Sequence, residues 1–174
     1  IWFYSHKLKK ILLVGNITAS LLAVLPFFGI LLYFKNFYQV IFAHAIFLFL
    51  IILIREMIKD LENIEGDLSN SYQTIPVNYG ENFSKKIISL LLLCTVVPVY
   101  FLINVYDVGH MDIYFYISYI LLLIFVLKLW NSEGKVDYIK LHFLLKIILL
   151  AGVICIVLIK PTVIENGQKL LLIR

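Results

Sequence analysis

Long apolar runs separated by short polar breaks organise this chain. Five runs stand out, over about 11–34, 37–58, 86–106, 113–130 and 138–159, each near the ~20 residues an α-helix needs to cross the hydrocarbon of a bilayer. Lys35 and Asn36 form the tight turn between the first two, and Asp107, Gly109, His110 and Asp112 a small acidic connection between the third and fourth. Asn131, Ser132, Glu133, Gly134 and Lys135 separate the fourth from the fifth, which Lys160 and Pro161 end. Pro26 and Pro98 fall inside runs, where a membrane helix tolerates proline as a kink when neighbours satisfy the freed carbonyl. Asn16, Gln39 and His44 are polar groups within spans, expected as interhelical hydrogen-bond partners. Asn16 also lies near enough to the entry end to reach a site there. His110 between two aspartates reads as a solvated turn rather than a metal site.

Composition sharpens this picture. With 62% hydrophobic residues, 15% charged residues and mean hydropathy +0.97 over 174 residues, the chain cannot hide its apolar surface in a water-facing globule. The expected fold is an all-α polytopic membrane helical bundle of about five spans, forming one membrane domain over 1–174. The chain opens at Ile1 in mid-pattern, and its first apolar run lacks the n-region and cleavage site of a signal peptide. We expect it to be the latter part of a longer protein. Cys94 and Cys155 lie inside apolar runs without ligands at metal spacing, and read as packing residues.

A net charge of +4 and a pI near 9.0 do not point to nucleic acid, because the basic residues sit at the edges of apolar runs and form no stripe. Lys7, Lys9 and Lys10 precede the first span, Arg55, Lys59, Lys85 and Lys86 surround the second polar break, and Lys128, Lys135 and Lys140 the last. Alternating spans put all three groups on one side, so the positive-inside rule assigns that side to the cytoplasm. Trp2, Tyr4, Tyr33, Tyr106, Tyr114, Trp130 and Tyr138 gather near span ends, as interfacial belts do.

The candidate chemistry lies in the cytoplasmic loop over about 55–80. Glu56, Asp60, Glu62, Glu65 and Asp67 are five of the chain's 11 acidic residues, in a short window between apolar runs. On a helix continuing the preceding run, Glu56, Asp60, Asn63 and Asp67 follow a 4, 3, 4 spacing, which stacks them on one face and turns Glu65 away. Carboxylates so placed repel one another unless a cation sits between them. An all-oxygen ligand set suits a hard cation, and Mg²⁺ typically takes one or two carboxylates plus substrate phosphates. The plainer alternative is a solvated helix with internal pairs such as Arg55 with Glu62, or Lys59 with Asp60.

The run REMIKDLENIEGDLSNSYQTIP, Arg55 to Pro76, resembles the second aspartate-rich motif of the UbiA family of intramembrane prenyltransferases, which commonly reads like REIxKDxEDxxGDxxxGxxTLP. The match falls at Arg55, Glu56, Lys59, Asp60, Glu62, Gly66, Asp67, Thr74 and Pro76. Two departures stand out: Asn63 where many relatives carry aspartate, and Gln73 where many carry a basic residue. Upstream, Tyr4, Lys9, Lys10, Gly15 and Asn16 are similar to the tyrosine and lysine motif and Gly-Asn pair of the fifth span in that family.

The resemblance implies the latter part of a bundle of about nine helices, in the cell inner membrane, that transfers an isoprenyl group from a prenyl diphosphate to a hydrophobic acceptor. It implies Mg²⁺ held by Asp60 and Asp67, assisted by Glu56 or Asn63, with Tyr4, Lys9, Arg55 and Lys59 as prenyl diphosphate contacts. The wording around IREMIKDLENIEGD looks closest to enzymes that make geranylgeranylglycerol phosphate ethers, with prenylation of an aromatic quinone precursor as the alternative. The family's first aspartate-rich motif, reading like NDxxDxxxD, is expected on upstream spans, and this fragment alone is expected to be inactive. A transporter or scaffold with a cation-binding acidic loop is the non-enzymatic alternative. Transport pathways, however, place ionisable groups in mid-span, and here the acids sit at one membrane face.

Overall fold

The computed structural model describes residues 13–34, 39–106 and 108–155. Tyr4, Lys9 and Lys10, the Lys35 and Asn36 turn, Asp107, and Lys160 with Pro161 lie outside the described residues. The described chain forms α1 (Val14–Phe34), α2 (Gln39–Glu62), α3 (Ile64–Ser69), α4 (Ile75–Tyr79), α5 (Glu81–Cys94), α6 (Val96–Asn104), α7 (Asp112–Trp130) and α8 (Lys135–Cys155), with no strand among the described residues.

The central element is α2, which packs against α1, α5, α6 and α8. Its sequence dictates this position, since Ile51, Ile52, Leu53 and Ile54 are consecutive and all buried, as only a helix covered on every side allows. The outer helices bury one stripe each. In α8 the stripe is Tyr138, Leu141, Leu145 and Ile148, while Val136, Ile139, Phe143, Ile147 and Leu150 face outward. In α7, Phe115, Ser118, Leu122, Phe125 and Leu129 turn inward and Ile113, Tyr116, Ile120, Leu123 and Leu127 outward. Apolar outer faces of this extent require lipid as solvent. Gln39–Glu62, Glu81–Asn104, Asp112–Trp130 and Lys135–Cys155 are each long and apolar enough to cross a membrane, and α1 is apolar over Val14–Gly29. The protein is an integral membrane protein.

The third expected span carries a break. Pro98 has no N–H to offer the carbonyl one turn back, and the helix divides at Thr95, whose N–H reaches both Leu91 O and Leu92 O and whose hydroxyl donates to Leu92 O at 2.6 Å. Two expectations at residue level are corrected here. The His44 ring pairs through Nδ1 with Val40 O of its own helix at 3.0 Å and packs edge-on against Phe115, rather than bonding to another helix. Cys94 is exposed on the outer face instead of packed, while Cys155 lies partly buried against the core. Gln39 does accept a bond from the Tyr106 hydroxyl at 3.3 Å, fastening the α2 start to the α6 end.

Candidate active site

The acidic stretch does not continue α2 as one helix. Asn63, at φ −121° and ψ 29°, ends α2 and starts α3, because an asparagine side chain competes with the helical backbone for its own neighbours. The break is slight. Asn63 N–H reaches back to Asp60 O at 3.2 Å, and Asp67 N–H still reaches Asn63 O at 2.9 Å. The Asn63 amide meanwhile donates from Nδ2 to Asp67 Oδ1 at 3.3 Å. Gly66 makes room for this amide, since a Cβ there would lie 2.6 Å from Asn63 Oδ1.

Asp60 and Asp67 line one cavity of about 160 Å³ together with Asn16, Glu56, Lys59, Glu62, Asn63, Gln73, Thr74 and Lys135. Four parts of the chain converge there. From α1, Asn16 donates through Nδ2 to Asp60 Oδ2 at 2.7 Å. The loop after α3 turns back through Ser71 at φ 54° and brings Gln73 and Thr74 to the wall. Lys135 opens α8 directly after Gly134, whose φ of 95° is a backbone state that glycine adopts without strain.

The electrostatics of the cavity are uneven. Asp67 is 2% exposed, and its Oδ2 has no hydrogen-bond partner among the described residues, nor has the hydroxyl of buried Thr74. A buried carboxylate oxygen left without a donor is costly, and Asp67 is a residue that lines the cavity. The flank of the cavity is instead fully engaged. Lys59 Nζ lies 3.5 Å from Glu56 Oε2, and Arg55 Nη1 lies 3.6 Å from Glu56 Oε1. Arg55 Nε donates to His142 Nε2 at 3.2 Å, and His142 Nδ1 meets Glu62 Oε2 at 2.9 Å. In place of a direct pair between Arg55 and Glu62, the two are linked through His142, and Lys59 pairs with Glu56.

Of the residues singled out by sequence, Glu56, Lys59, Asp60, Asn63 and Asp67 share the cavity, and Glu65 is exposed outside it. Arg55 stands behind Glu56 and is not a lining residue. Tyr4 and Lys9 lie outside the described residues. Lys135 and His142 carried no local signal of a role, since both reach the site from a helix some seventy residues on and only tertiary packing brings them there. Among the described residues no three His, Cys, Asp or Glu side chains gather around one ion position. Asp60 and Asp67 line the cavity among carboxylates, amides, a hydroxyl and the ammonium groups of Lys59 and Lys135.

The model of the UbiA prenyltransferase family matches residues 1–150. A digeranylgeranylglyceryl phosphate synthase from Saccharolobus solfataricus is 31% identical over 166 residues, covering 90% of this chain and 55% of the relative. The synthase of the same name from Sulfurisphaera tokodaii is 28% identical over 160 residues, covering 87% of this chain and 56% of the relative. That from Methanobrevibacter smithii is 27% identical over 145 residues, covering 78% and 49%. The chain therefore spans about half the length of the curated relatives it matches. No solved structure matches it. With the family match running through all of α1 to α7 and most of α8, and with the acidic motif set around one cavity, the chain belongs to the UbiA prenyltransferase family.

Proposed function

We propose that the cavity at the end of α2 is the cation and diphosphate half of a prenyltransferase active centre. The reaction is transfer of an isoprenyl group from a prenyl diphosphate to a lipid-alcohol acceptor, at the cytoplasmic face of the cell inner membrane. The observation that carries this reading is the buried Asp67 carboxylate, with one oxygen unpartnered beside Asp60, in a cavity also lined by Lys59 and Lys135. The shared name of the relatives, digeranylgeranylglyceryl phosphate synthase, favours a glyceryl phosphate ether lipid as acceptor over an aromatic ring.

The donor set fits Mg²⁺, which takes one or two carboxylates and leaves its remaining positions to water and substrate phosphates. Asp60 and Asp67 would hold it, with Glu56 or Asn63 assisting, and when bound it would supply Lewis-acid stabilisation of the leaving diphosphate. Lys59 and Lys135 add positive charge for diphosphate oxygens, and Arg55 helps to hold Glu56 in place. Tyr4 and Lys9 would supply further donors, as the family resemblance implies. In the reaction the allylic carbon–oxygen bond breaks with its electron pair leaving on the diphosphate, and the acceptor hydroxyl captures the carbon and loses its proton.

The test is diphosphate release from labelled geranylgeranyl diphosphate by the full-length protein, titrated with Mg²⁺. Asp60→Ala and Asp67→Ala each lower the rate by about a hundredfold or more, with membrane insertion intact, while Glu65→Ala is mild. An Asp67→Ala variant that kept its rate and its Mg²⁺ dependence would sink the reading. So would a wild-type protein that moves ions across liposomes without releasing diphosphate.

A further inference from the structure

We propose that His142 is a positioning residue of this site, locking Arg55 and Glu62 in place as a neutral imidazole with its proton on Nδ1. The inference deepens the diphosphate-site reading and rests on it. An arginine Nε always carries its proton, so at 3.2 Å His142 Nε2 must offer its lone pair to Arg55. The ring proton then resides on Nδ1 and is donated to Glu62 Oε2 at 2.9 Å. One side chain from α8 thereby ties two residues that lie two turns apart on α2.

The consequence reaches the cavity without His142 touching it. Glu56, Lys59 and Glu62 line the cavity, whereas Arg55 and His142 do not. Counted along the chain of contacts, Glu62 and Glu56 contribute two negative charges, Arg55 and Lys59 two positive ones, and neutral His142 none. The flank is therefore neutral as a unit. Loss of the acceptor at Nε2 leaves the half-buried Arg55 Nε–H without its partner, so that only the ion pair with Glu56 still orients the guanidinium. Glu56 and Lys59, which both line the cavity, are then less firmly placed where a diphosphate and its cation would meet them. The burial of His142 supports the role, since its side chain is 12% exposed and both ring nitrogens are engaged.

The two contacts separate by substitution in the full-length protein. A glutamine amide oxygen falls near the place of Nε2 and keeps the acceptor for Arg55. An asparagine amide nitrogen falls near Nδ1 and keeps only the donor to Glu62. His142→Asn and His142→Phe raise KM for the prenyl diphosphate about tenfold with kcat little changed, and His142→Gln retains most of the wild-type affinity. Heteronuclear NMR of histidine-labelled protein in detergent shows the His142 ring as the Nδ1–H tautomer, and Arg55→Met releases it to a mixture. Equal impairment in His142→Gln and His142→Asn, a loss confined to kcat, or a ring protonated on Nε2 in the wild type each overturns the proposal. A wild-type protein that turns over no prenyl donor defeats the diphosphate reading and the positioning role with it, while the tautomer separately decides the bond to Arg55.

Discussion

Asn63 is the residue on which the geometry of the acidic motif turns. Its spacing from Asp60 and Asp67 made all three legible in the sequence as neighbours on one face, but the break at Asn63 was not, because it depends on a single side chain choosing Asp67 over solvent. The space beside Gly66 was equally hidden, since it exists only in that conformation. Gly66→Ala forces the Asn63 amide off Asp67 and weakens Mg²⁺ dependence of diphosphate release about tenfold, read as a shift of the titration midpoint. Asn63→Asp replaces a donor to Asp67 by a second acceptor. Its carboxylates repel in the absence of a cation, so its Tm rises with added Mg²⁺ by more than the wild-type Tm does. An equal response in the two proteins would mean that position 63 does not face the ion.

At the scale of elements, five apolar runs were legible because membrane helices announce themselves by length. Where they meet was not. Lys85 illustrates the gap: by sequence it marks a span edge, yet it is 5% exposed, and its Nζ donates to Ser132 O at 2.8 Å beyond the end of α7. The ring of Tyr138, on α8, lies 5.8 Å from the same ammonium, and the Tyr138 hydroxyl donates to Glu81 at the start of α5. These contacts fasten the α7–α8 connection from which Lys135 enters the cavity. Lys85→Met removes a charge-assisted hydrogen bond and costs about 1.5–3 kcal/mol of stability, measured by thermal unfolding in detergent. Because Lys135 rides on the same connection, the variant also binds prenyl diphosphate more weakly, whereas a change on the lipid face such as Leu127→Met leaves both measurements alone.

For the whole molecule, the two ends of the bundle differ in kind. At one end lie the α2 C-terminus, the α5 start, the α7 end and the α8 start, drawn together by the cavity and by the contacts of Lys85 and Tyr138. That end carries Arg55, Lys59, Lys85, Lys86, Lys128, Lys135 and Lys140. The other end, where Tyr106 meets Gln39 and Val108–Met111 connects α6 to α7, has no lysine or arginine among the described residues. Charge asymmetry of this kind sets the orientation of a polytopic protein during insertion. By that rule the end that holds the cavity is expected on the cytoplasmic side. Single-cysteine reporters test this in a background with Cys94 and Cys155 replaced by serine. Glu65→Cys and His110→Cys both place the thiol at an exposed position, on α3 beside the site and in the turn at the far end respectively. A membrane-impermeant maleimide labels Glu65→Cys only in inverted vesicles and His110→Cys only in intact spheroplasts. Labelling of both from one side would mean that Glu81–Asn104 does not carry the chain across the membrane between these two positions, and a reversed pattern would put the acidic cavity on the outer side.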